Sequence, residues 1–211
     1  SNYNIWYNIG NSIMSTLEVN TINPQSGNDV TIGGSSKNVK FASGTTVDFN
    51  TNTPTLTLGA AMKATPAFEA VQSSTQSSVS DAVWTKMTMN TETFDTDGNY
   101  DNSSNYRFTP TTAGKYFVYV MGAGLSDTTY KLNVYNLAIY KNGSAYRQTN
   151  TTVNGADRLN EHNAVCTAVI DMNGSSDYVE AYSRVNVTTG TGSIDARSAS
   201  GGFGAYRILG A

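Results

Sequence analysis

A series of tight-turn motifs set between short apolar runs is the feature that most limits how this chain can fold. After residue 65 the motifs are Asp97-Gly98, Asn142-Gly143, Asn154-Gly155, Asn173-Gly174 and Gly190-Thr191-Gly192. Asn-Gly and Asp-Gly readily take the positive φ angles of hairpin turns. The runs between them are rich in β-branched and aromatic residues: 116–120, 132–140, 164–170, 178–187 and 202–209. Many short strands at this spacing predict an all-β sandwich or jelly roll.

Helical periodicity is weak along the chain, and no apolar stretch reaches the length needed to cross a bilayer. Residues 70–82 are small and polar, which favours a loop there. Only 14% of the 211 residues are charged, and the net charge is -3. Because phosphate binding needs clustered Lys and Arg, we expect no nucleic-acid partner. Because no apolar stretch is long enough to cross a bilayer, we expect no membrane insertion.

The side chains that carry most catalytic and metal chemistry are scarce. Cys166 and His162 are the one cysteine and the one histidine of the chain. They cannot supply an internal disulfide or four zinc ligands. Cys166 lies in the apolar run 164–170, which predicts a buried thiol. His162 has one acidic neighbour, Glu161, and no Gly-x-Ser-x-Gly motif is present, so we expect a protein that is not an enzyme and has no cofactor.

Composition divides the chain into three segments. Residues 1–13 are rich in Asn, Tyr and Ile and precede Met14, which resembles a second translation start; they are either an attachment segment or an upstream extension. Residues 14–64 contain alternating pieces, such as 17–22, that are too short for an independent sheet. They suit a narrow β-rich stalk made by three chains, with a loosely ordered linker as the alternative. Residues 65–211 are the predicted compact head.

Several motifs of the head resemble, in order, those of the complement component 1q globular domain family. In residues 108–116 (FTPTTAGKY) a Phe, five residues, a Gly, one residue and a Tyr open a central strand, as in that family's signature. Residues 138–143 (AIYKNG) are similar to its hairpin. Residues 66–70 resemble its first strand, 167–179 a later strand-turn-strand segment, and 202–209 its terminal strand.

This resemblance implies a ten-stranded jelly-roll protomer, of the type shared with tumour necrosis factor, in a three-fold symmetric homotrimer. Aromatic rings can line such an axis while their hydroxyl groups find partners. We expect five of them at or near the core and the subunit interface, with packing inside one protomer as the alternative for each: Phe68, Tyr116, Tyr119, Phe203 and Tyr206.

Calcium is the one metal that the sequence leaves open. Some members of the family hold calcium near the trimer axis, but no ligands can be assigned here. Residues 95–101 carry Asp or Asn at alternate positions, like the first half of a calcium loop. The twelfth position, which needs a carboxylate, is Tyr106. We therefore interpret residues 95–101 as a hairpin turn.

The segment before the head resembles the amino-terminal region of virion fibre proteins from marine bacteriophages. The similarity lies in residues 14–22 (MSTLEVNTI) and 25–27 (QSG), which there lead into short β repeats and a complement-like head. It implies a structural virion protein of a tailed phage, joined through its stalk to other virion proteins. The head would bind a host surface glycan or protein through loops. Candidate loop residues are Tyr130, Arg158, His162 and Arg197.

Other roles stay open at this point. The protein could be a capsid decoration or collar protein. It could also be a bacterial extracellular adhesin or filament subunit, in which residues 1–13 would insert into a neighbour as a donated strand. A glycan hydrolase is the least favoured of these roles, and it stays open only because any chain with 16 acidic residues contains candidate carboxylate pairs.

Overall fold

The computed structural model of the protein describes residues 64–153 and 158–208. The predicted attachment segment 1–13 and the predicted stalk 14–64, apart from its last residue, lie outside the described residues, as does the Asn154-Gly155 turn. The described part of the chain holds no helix that is long and apolar enough to span a membrane.

The described residues form thirteen strands. They are β1 (Ala67–Val71), β2 (Gln76–Val79), β3 (Trp84–Lys86), β4 (Thr91–Asp95), β5 (Tyr100–Asp101), β6 (Arg107–Phe108), β7 (Gly114–Ser126), β8 (Leu132–Lys141), β9 (Ser144–Gln148), β10 (Glu161–Met172), β11 (Val179–Val187), β12 (Gly192–Asp195) and β13 (Gly202–Arg207). Thirteen strands are three more than the ten that the family resemblance implies. The predicted loop at 70–82 is wrong for two parts of that range. Ala70 and Val71 end β1, and pairing with β12 holds the small, polar segment β2 extended.

The strands form two antiparallel sheets. In sheet 1, β10 pairs along one edge of β7, while β13 and β12 pair with successive parts of its other edge. β1 and then β4 continue the sheet beyond β13, and β2 continues it beyond β12. In sheet 2, β8 and then β9 lie on one side of β11, and β6 and β3 lie on the other, with β5 beyond β6.

The chain follows a jelly-roll path. From β6 it crosses to sheet 1 at β7 and returns to sheet 2 at β8, and after the β8–β9 hairpin it crosses again at β10, β11 and β12. This alternation makes sequence neighbours lie in opposite sheets, as in two Greek keys. The predicted all-β jelly-roll fold is therefore confirmed.

Aromatic rings from both sheets fill part of the core. Phe68 of β1 stacks on Tyr100 and on Phe108 with 4.5 Å between ring centroids in each pair, and Phe203 of β13 meets it edge-on. Such pairs add about 0.5–1.5 kcal/mol each beyond the area that they bury. The Tyr100 hydroxyl donates a 2.8 Å hydrogen bond to the Met89 carbonyl, so this buried polar group is paired.

Two of the predicted turn motifs contain residues with the positive φ angles that Asn and Gly tolerate. Asn142 and Gly143 both have positive φ, 52° and 78°, and join β8 to β9 in the manner of a type I′ turn. Gly174 has a φ of 71°, and a Cβ built on it would lie 2.2 Å from the backbone nitrogen of Ala113. Both turns are confirmed where the sequence predicts them.

The sandwich has two distinct ends. At the entry end, the Arg207 backbone nitrogen donates to the Ala64 carbonyl at 3.3 Å, so the first and last described segments lie side by side. From there β7 runs for thirteen residues, about 40 Å of extended chain, to the other end. There the Ser126 nitrogen donates to the Asn160 carbonyl at 2.9 Å and the Thr188 nitrogen to the Lys131 carbonyl at 3.0 Å. We call the loops joined by these bonds the loop end.

Candidate binding surfaces

The outer face of sheet 1 carries a contiguous group of apolar and aromatic side chains. Side chains alternate along a strand, so every second residue of β7 points away from the core. The ladder then sets their neighbours, with Phe117 between Val169 of β10 and Tyr206 of β13, and Met121 beside Val165. We call these residues the outer patch: Phe117, Tyr119, Met121, Val165, Val169 and Tyr206.

Much of the outer patch faces solvent in the single chain. The exposed fractions are 38% for Met121, 45% for Tyr206, 49% for Val169 and 55% for Val165. The rings of Phe117 and Tyr206 lie against each other, with centroids 5.4 Å apart. Contiguous apolar surfaces of this kind usually mark a contact with another macromolecule, whereas scattered exposed apolar residues do not.

A hydrogen bond fixes Tyr119 in the middle of the outer patch. Its hydroxyl donates to Oε2 of Glu69 on β1, and to reach it the ring crosses Gly204 of the intervening strand β13. A Cβ on Gly204 would lie 2.5 Å from Cζ of that ring, so the glycine leaves the space that the ring occupies. Partial burial, followed by the bond to Glu69, raises the pKa of the Tyr119 hydroxyl, which therefore stays protonated and remains a donor.

The five aromatic residues predicted for the core and interface fall into two groups. Phe68, Tyr116 and Phe203 lie in the core of the protomer, each at most 1% exposed. Tyr119 and Tyr206 belong to the outer patch. Their spacing in the sequence separates the two groups. Residues an odd number of positions apart along one strand point to opposite faces of the sheet. Tyr116 and Tyr119 are three positions apart, as are Phe203 and Tyr206.

Three of the four candidate loop residues lie at or beside the loop end. Tyr130 is 61% exposed, and its backbone nitrogen donates to Oδ1 of Asn160 at 2.5 Å, which ties its loop to the segment containing Arg158. Arg158 is half-buried. The His162 ring meets the buried ring of Tyr135 edge-on at 6.4 Å. Of these three side chains, Tyr130 offers the largest exposed fraction to a ligand.

Arg197 lies apart from those loops, in the connection from β12 to β13. Its Nε donates to Oδ1 of Asp195 at 2.9 Å and its Nη2 to Oδ2 at 2.7 Å. The Ser200 hydroxyl also donates to this carboxylate, at 3.3 Å. These bonds, the one from Arg197 above all, lower the pKa of the Asp195 carboxyl. The Arg197 guanidinium therefore stabilises the turn between β12 and β13 that contains it.

In the acidic stretch 95–101, the Asp95 and Asp101 carboxylates accept hydrogen bonds from nearby groups of the same chain. Asp95 accepts hydrogen bonds from the Asp97 and Tyr100 nitrogens, at 3.2 Å and 2.8 Å. Asp101 accepts from the Ser104 nitrogen at 2.9 Å and from the Asn105 side chain at 2.6 Å, and these donors hold its pKa well below the usual range. Among the described residues, no three His, Cys, Asp or Glu side chains lie together in a way that could hold a metal ion.

Cys166 is 3% exposed and packs in the core, as its apolar sequence surroundings predict. Burial raises the pKa of its thiol, so the nucleophilic thiolate is disfavoured at neutral pH. The thiol is therefore a small apolar group of the core.

A second aromatic surface, which the sequence analysis does not single out, covers part of the outer face of sheet 2. Tyr140 of β8 and Tyr182 of β11 stack with centroids 3.9 Å apart and planes inclined by 19°. Trp84 of β3 lies 6.4 Å from Tyr140, at 59° to it. Beside them Lys86 pairs with Glu180, which is only 4% exposed although it belongs to an outer face. We call these five residues the sheet-2 cluster.

Part of the sheet-2 cluster had a signal in the sequence. Trp84 and Lys86 are two positions apart, so they share a face if residues 84–86 form a strand. The rest depends on strand register, which sets Tyr182 opposite Lys86 and Glu180 opposite Tyr140.

Comparisons with known proteins give matches only at the level of structure. No family model and no curated protein matches this sequence. The crystal structure of murine APRIL at pH 5.0 is similar with a TM-score of 0.48 and 9% identity, covering 67% of this chain and 98% of that one. The structure of Eiger TNF from S. frugiperda is similar with a TM-score of 0.46 and 11% identity, covering 69% of this chain and 93% of that one. Both are jelly-roll proteins of the tumour necrosis factor family.

Proposed function

We propose that the protein is a non-enzymatic structural component of a tailed-phage virion, a homotrimer whose heads bind a molecule of the host-cell surface. The outer patch is the observation that carries the self-association. The likeness of residues 14–27 to virion fibre proteins supports the location, and the jelly-roll head with its far-end loops supports a role in binding.

Burial of the outer patch against a second chain would remove several half-exposed apolar side chains from water at about 25 cal/mol per Å². The patch lies on one side of the protomer, next to the sheet edge formed by β10. A patch that meets a different surface of its neighbour makes a head-to-tail contact, and such contacts form a ring when the rotation between subunits closes, or an open filament when it does not. The family resemblance favours a ring of three.

The oligomer is tested by light scattering on a fragment of residues 64–211, which contains the whole described core. We expect a mass three times that of one chain. Val165→Asp places a charge in the patch at a position that is 55% exposed, so the protomer should fold but run as a monomer. Val83→Asp is the matched control: Val83 is 51% exposed and lies outside the patch, so this variant should stay trimeric. A wild-type monomer, or an unchanged mass for Val165→Asp, contradicts the interface.

The location is tested by immunogold electron microscopy of the native source material with an antibody against residues 65–211. Label on slender tail appendages supports a fibre that attaches to host cells. Label spread over the capsid shell indicates a decoration protein. Label on cell-derived filaments overturns the phage assignment in favour of a bacterial adhesin or filament subunit.

A further inference from the structure

We propose that the sheet-2 cluster is a binding site for a neutral, hydroxyl-rich saccharide. The inference rests on the proposed role of the head in binding a host surface, and it assigns that role to a sheet face and not to the loop end. The geometry that points to it is the juxtaposition of three half-buried aromatic rings with unpartnered polar edges beside a charge pair that is already satisfied.

The first step is shape. Trp84, Tyr140 and Tyr182 come from three neighbouring strands of a rigid sheet, so their rings are held in place before any ligand arrives. Tyr140 and Tyr182 stack on each other and cover one face of each ring, whereas Trp84 is inclined to them. One face of a pyranose ring carries several C–H groups, and these can pack against the indole face of Trp84. A rigid aromatic surface loses little conformational entropy on binding, which favours affinity for flexible chains such as glycans.

The second step is hydrogen bonding. Among the described residues, the indole nitrogen of Trp84 and the hydroxyls of Tyr140 and Tyr182 make no hydrogen bond to the protein. An indole N–H donates, and a phenol hydroxyl both donates and accepts. Sugar hydroxyls have the same two capacities, so they can replace the water that otherwise meets these groups.

The third step is charge. The Lys86 ammonium is bound by the Glu180 carboxylate at 2.5 Å and by the Asn105 carbonyl at 3.2 Å, and it lies 5.9 Å from the centre of the Tyr182 ring. Nearby, Nε of Arg184 donates to the Ala82 carbonyl at 2.9 Å. Lys86 is therefore already paired with a carboxylate, and an acidic ligand would have to displace Glu180 to bind it. A neutral ligand keeps these contacts, which is why a neutral saccharide fits better than a uronate or a phosphate.

The fourth step is access. The cluster lies on the outer face of sheet 2, whereas the outer patch lies on the outer face of sheet 1, on the opposite side of the sandwich. The outer patch does not overlap the cluster, so a ring whose second contact surface lies elsewhere on the protomer keeps the cluster accessible. A trimer would present three such sites, and several weak contacts to one repeating polysaccharide give useful avidity.

The test is affinity electrophoresis of the full chain in native gels that contain mannan, galactan or a soluble β-glucan, with polygalacturonate as the acidic comparison. We expect retardation by at least one neutral polysaccharide and less by polygalacturonate. Trp84→Ala should weaken that binding roughly tenfold, and Trp84→Phe, which keeps an aromatic face, should restore most of it. Phe94→Ala is the matched control: it removes an aromatic side chain that is 47% exposed on β4 of sheet 1, outside the outer patch and the sheet-2 cluster, and it should bind like the wild type.

Two further measurements keep the test independent of folding. Tyr182→Phe removes only the hydroxyl and should bind about threefold more weakly with an unchanged melting temperature. In a Trp6→Phe background Trp84 is the remaining tryptophan, so its emission should shift when the neutral polysaccharide is added. No retardation on any neutral gel, stronger binding to polygalacturonate, or equal binding by Trp84→Ala overturns the site.

Failure of the site and failure of the proposed function give different results. If Trp84→Ala heads still bind host cells as the wild type does, the host-binding role stands but does not use the sheet-2 cluster. If wild-type heads bind a neutral polysaccharide but no host cells, the saccharide site stands and the host-binding role fails.

Discussion

At the scale of single residues, the head depends on a few positions where a side chain has no room. In β7, a Cβ on Gly124 would lie 2.2 Å from Cδ2 of Tyr135, a ring that is 1% exposed in the core. Gly202 of β13 is different, since its nearest neighbour would be the Ala70 carbonyl oxygen at 3.5 Å, an ordinary contact. Both glycines lie in sheet 1, so they form a natural pair for comparison.

We expect Gly124→Ala to lower the free energy of unfolding by about 1–3 kcal/mol, because the Tyr135 ring must leave its position in a packed core. Gly202→Ala should cost nothing measurable, since the new methyl group fits and alanine loses less backbone entropy than glycine. Urea denaturation followed by circular dichroism measures both. Equal midpoints for the two variants would show that the close approach at Gly124 is relieved without cost.

At the scale of elements, the sequence predicts strands well where residue types favour them and less well where packing decides. The run 132–140 coincides with β8 almost to the residue, and 178–187 coincides with β11. The run 116–120 covers less than half of β7, which continues to Ser126. Its second half contains Gly122 and Gly124, which have low strand propensity. They are extended because Tyr135 packs against them and β10 pairs along the whole strand.

The same contrast applies to the candidate surfaces. The outer patch follows from period-two alternation once β7 is identified as a strand with one face in the core. The three rings of the sheet-2 cluster are about forty to one hundred positions apart in the sequence, and only the register of three strands brings them together. Register is fixed by the complete set of pairings, so a local pattern around Trp84 does not reveal Tyr140 or Tyr182.

A prediction at the scale of elements concerns the crossing of Tyr119 over β13. Gly204→Ala should push the end of the Tyr119 ring away from Glu69 and disturb the outer patch while the core stays intact. We expect self-association of the 64–211 fragment to weaken by roughly tenfold, with a loss of less than about 1 kcal/mol in the stability of the protomer. Sedimentation equilibrium gives the first quantity, and urea denaturation of a monomeric Val165→Asp background gives the second. Gly202→Ala serves again as the control, and equal association of the two variants would contradict the role of Gly204.

At the scale of the whole molecule, folding and assembly should be coupled. Anything that binds the folded state alone stabilises it by mass action, and a second or third copy of the chain is such a partner. In the proposed arrangement, the outer face of sheet 1 contacts the other chains of the trimer, and the outer face of sheet 2 binds the saccharide.

The melting temperature of the 64–211 fragment should therefore rise with protein concentration. A hundredfold increase should raise it by several degrees, whereas Val165→Asp should melt at one temperature throughout. Differential scanning fluorimetry across that range is sufficient. A wild-type melting temperature that does not depend on concentration would mean that the outer patch is not buried between chains under these conditions.

The position of β1 also determines how the head responds to mechanical force. Ala64 leads directly into β1, which lies between β13 and β4 and is antiparallel to both. The hydrogen bonds between antiparallel strands are perpendicular to the strand axis. Tension applied at Ala64 along β1 therefore acts in shear on the hydrogen bonds to β13 and β4, which are stretched together and not one after another. If the chain before Ala64 tethers the head, as the proposed function requires, β1 therefore stays in place when force is applied through that tether.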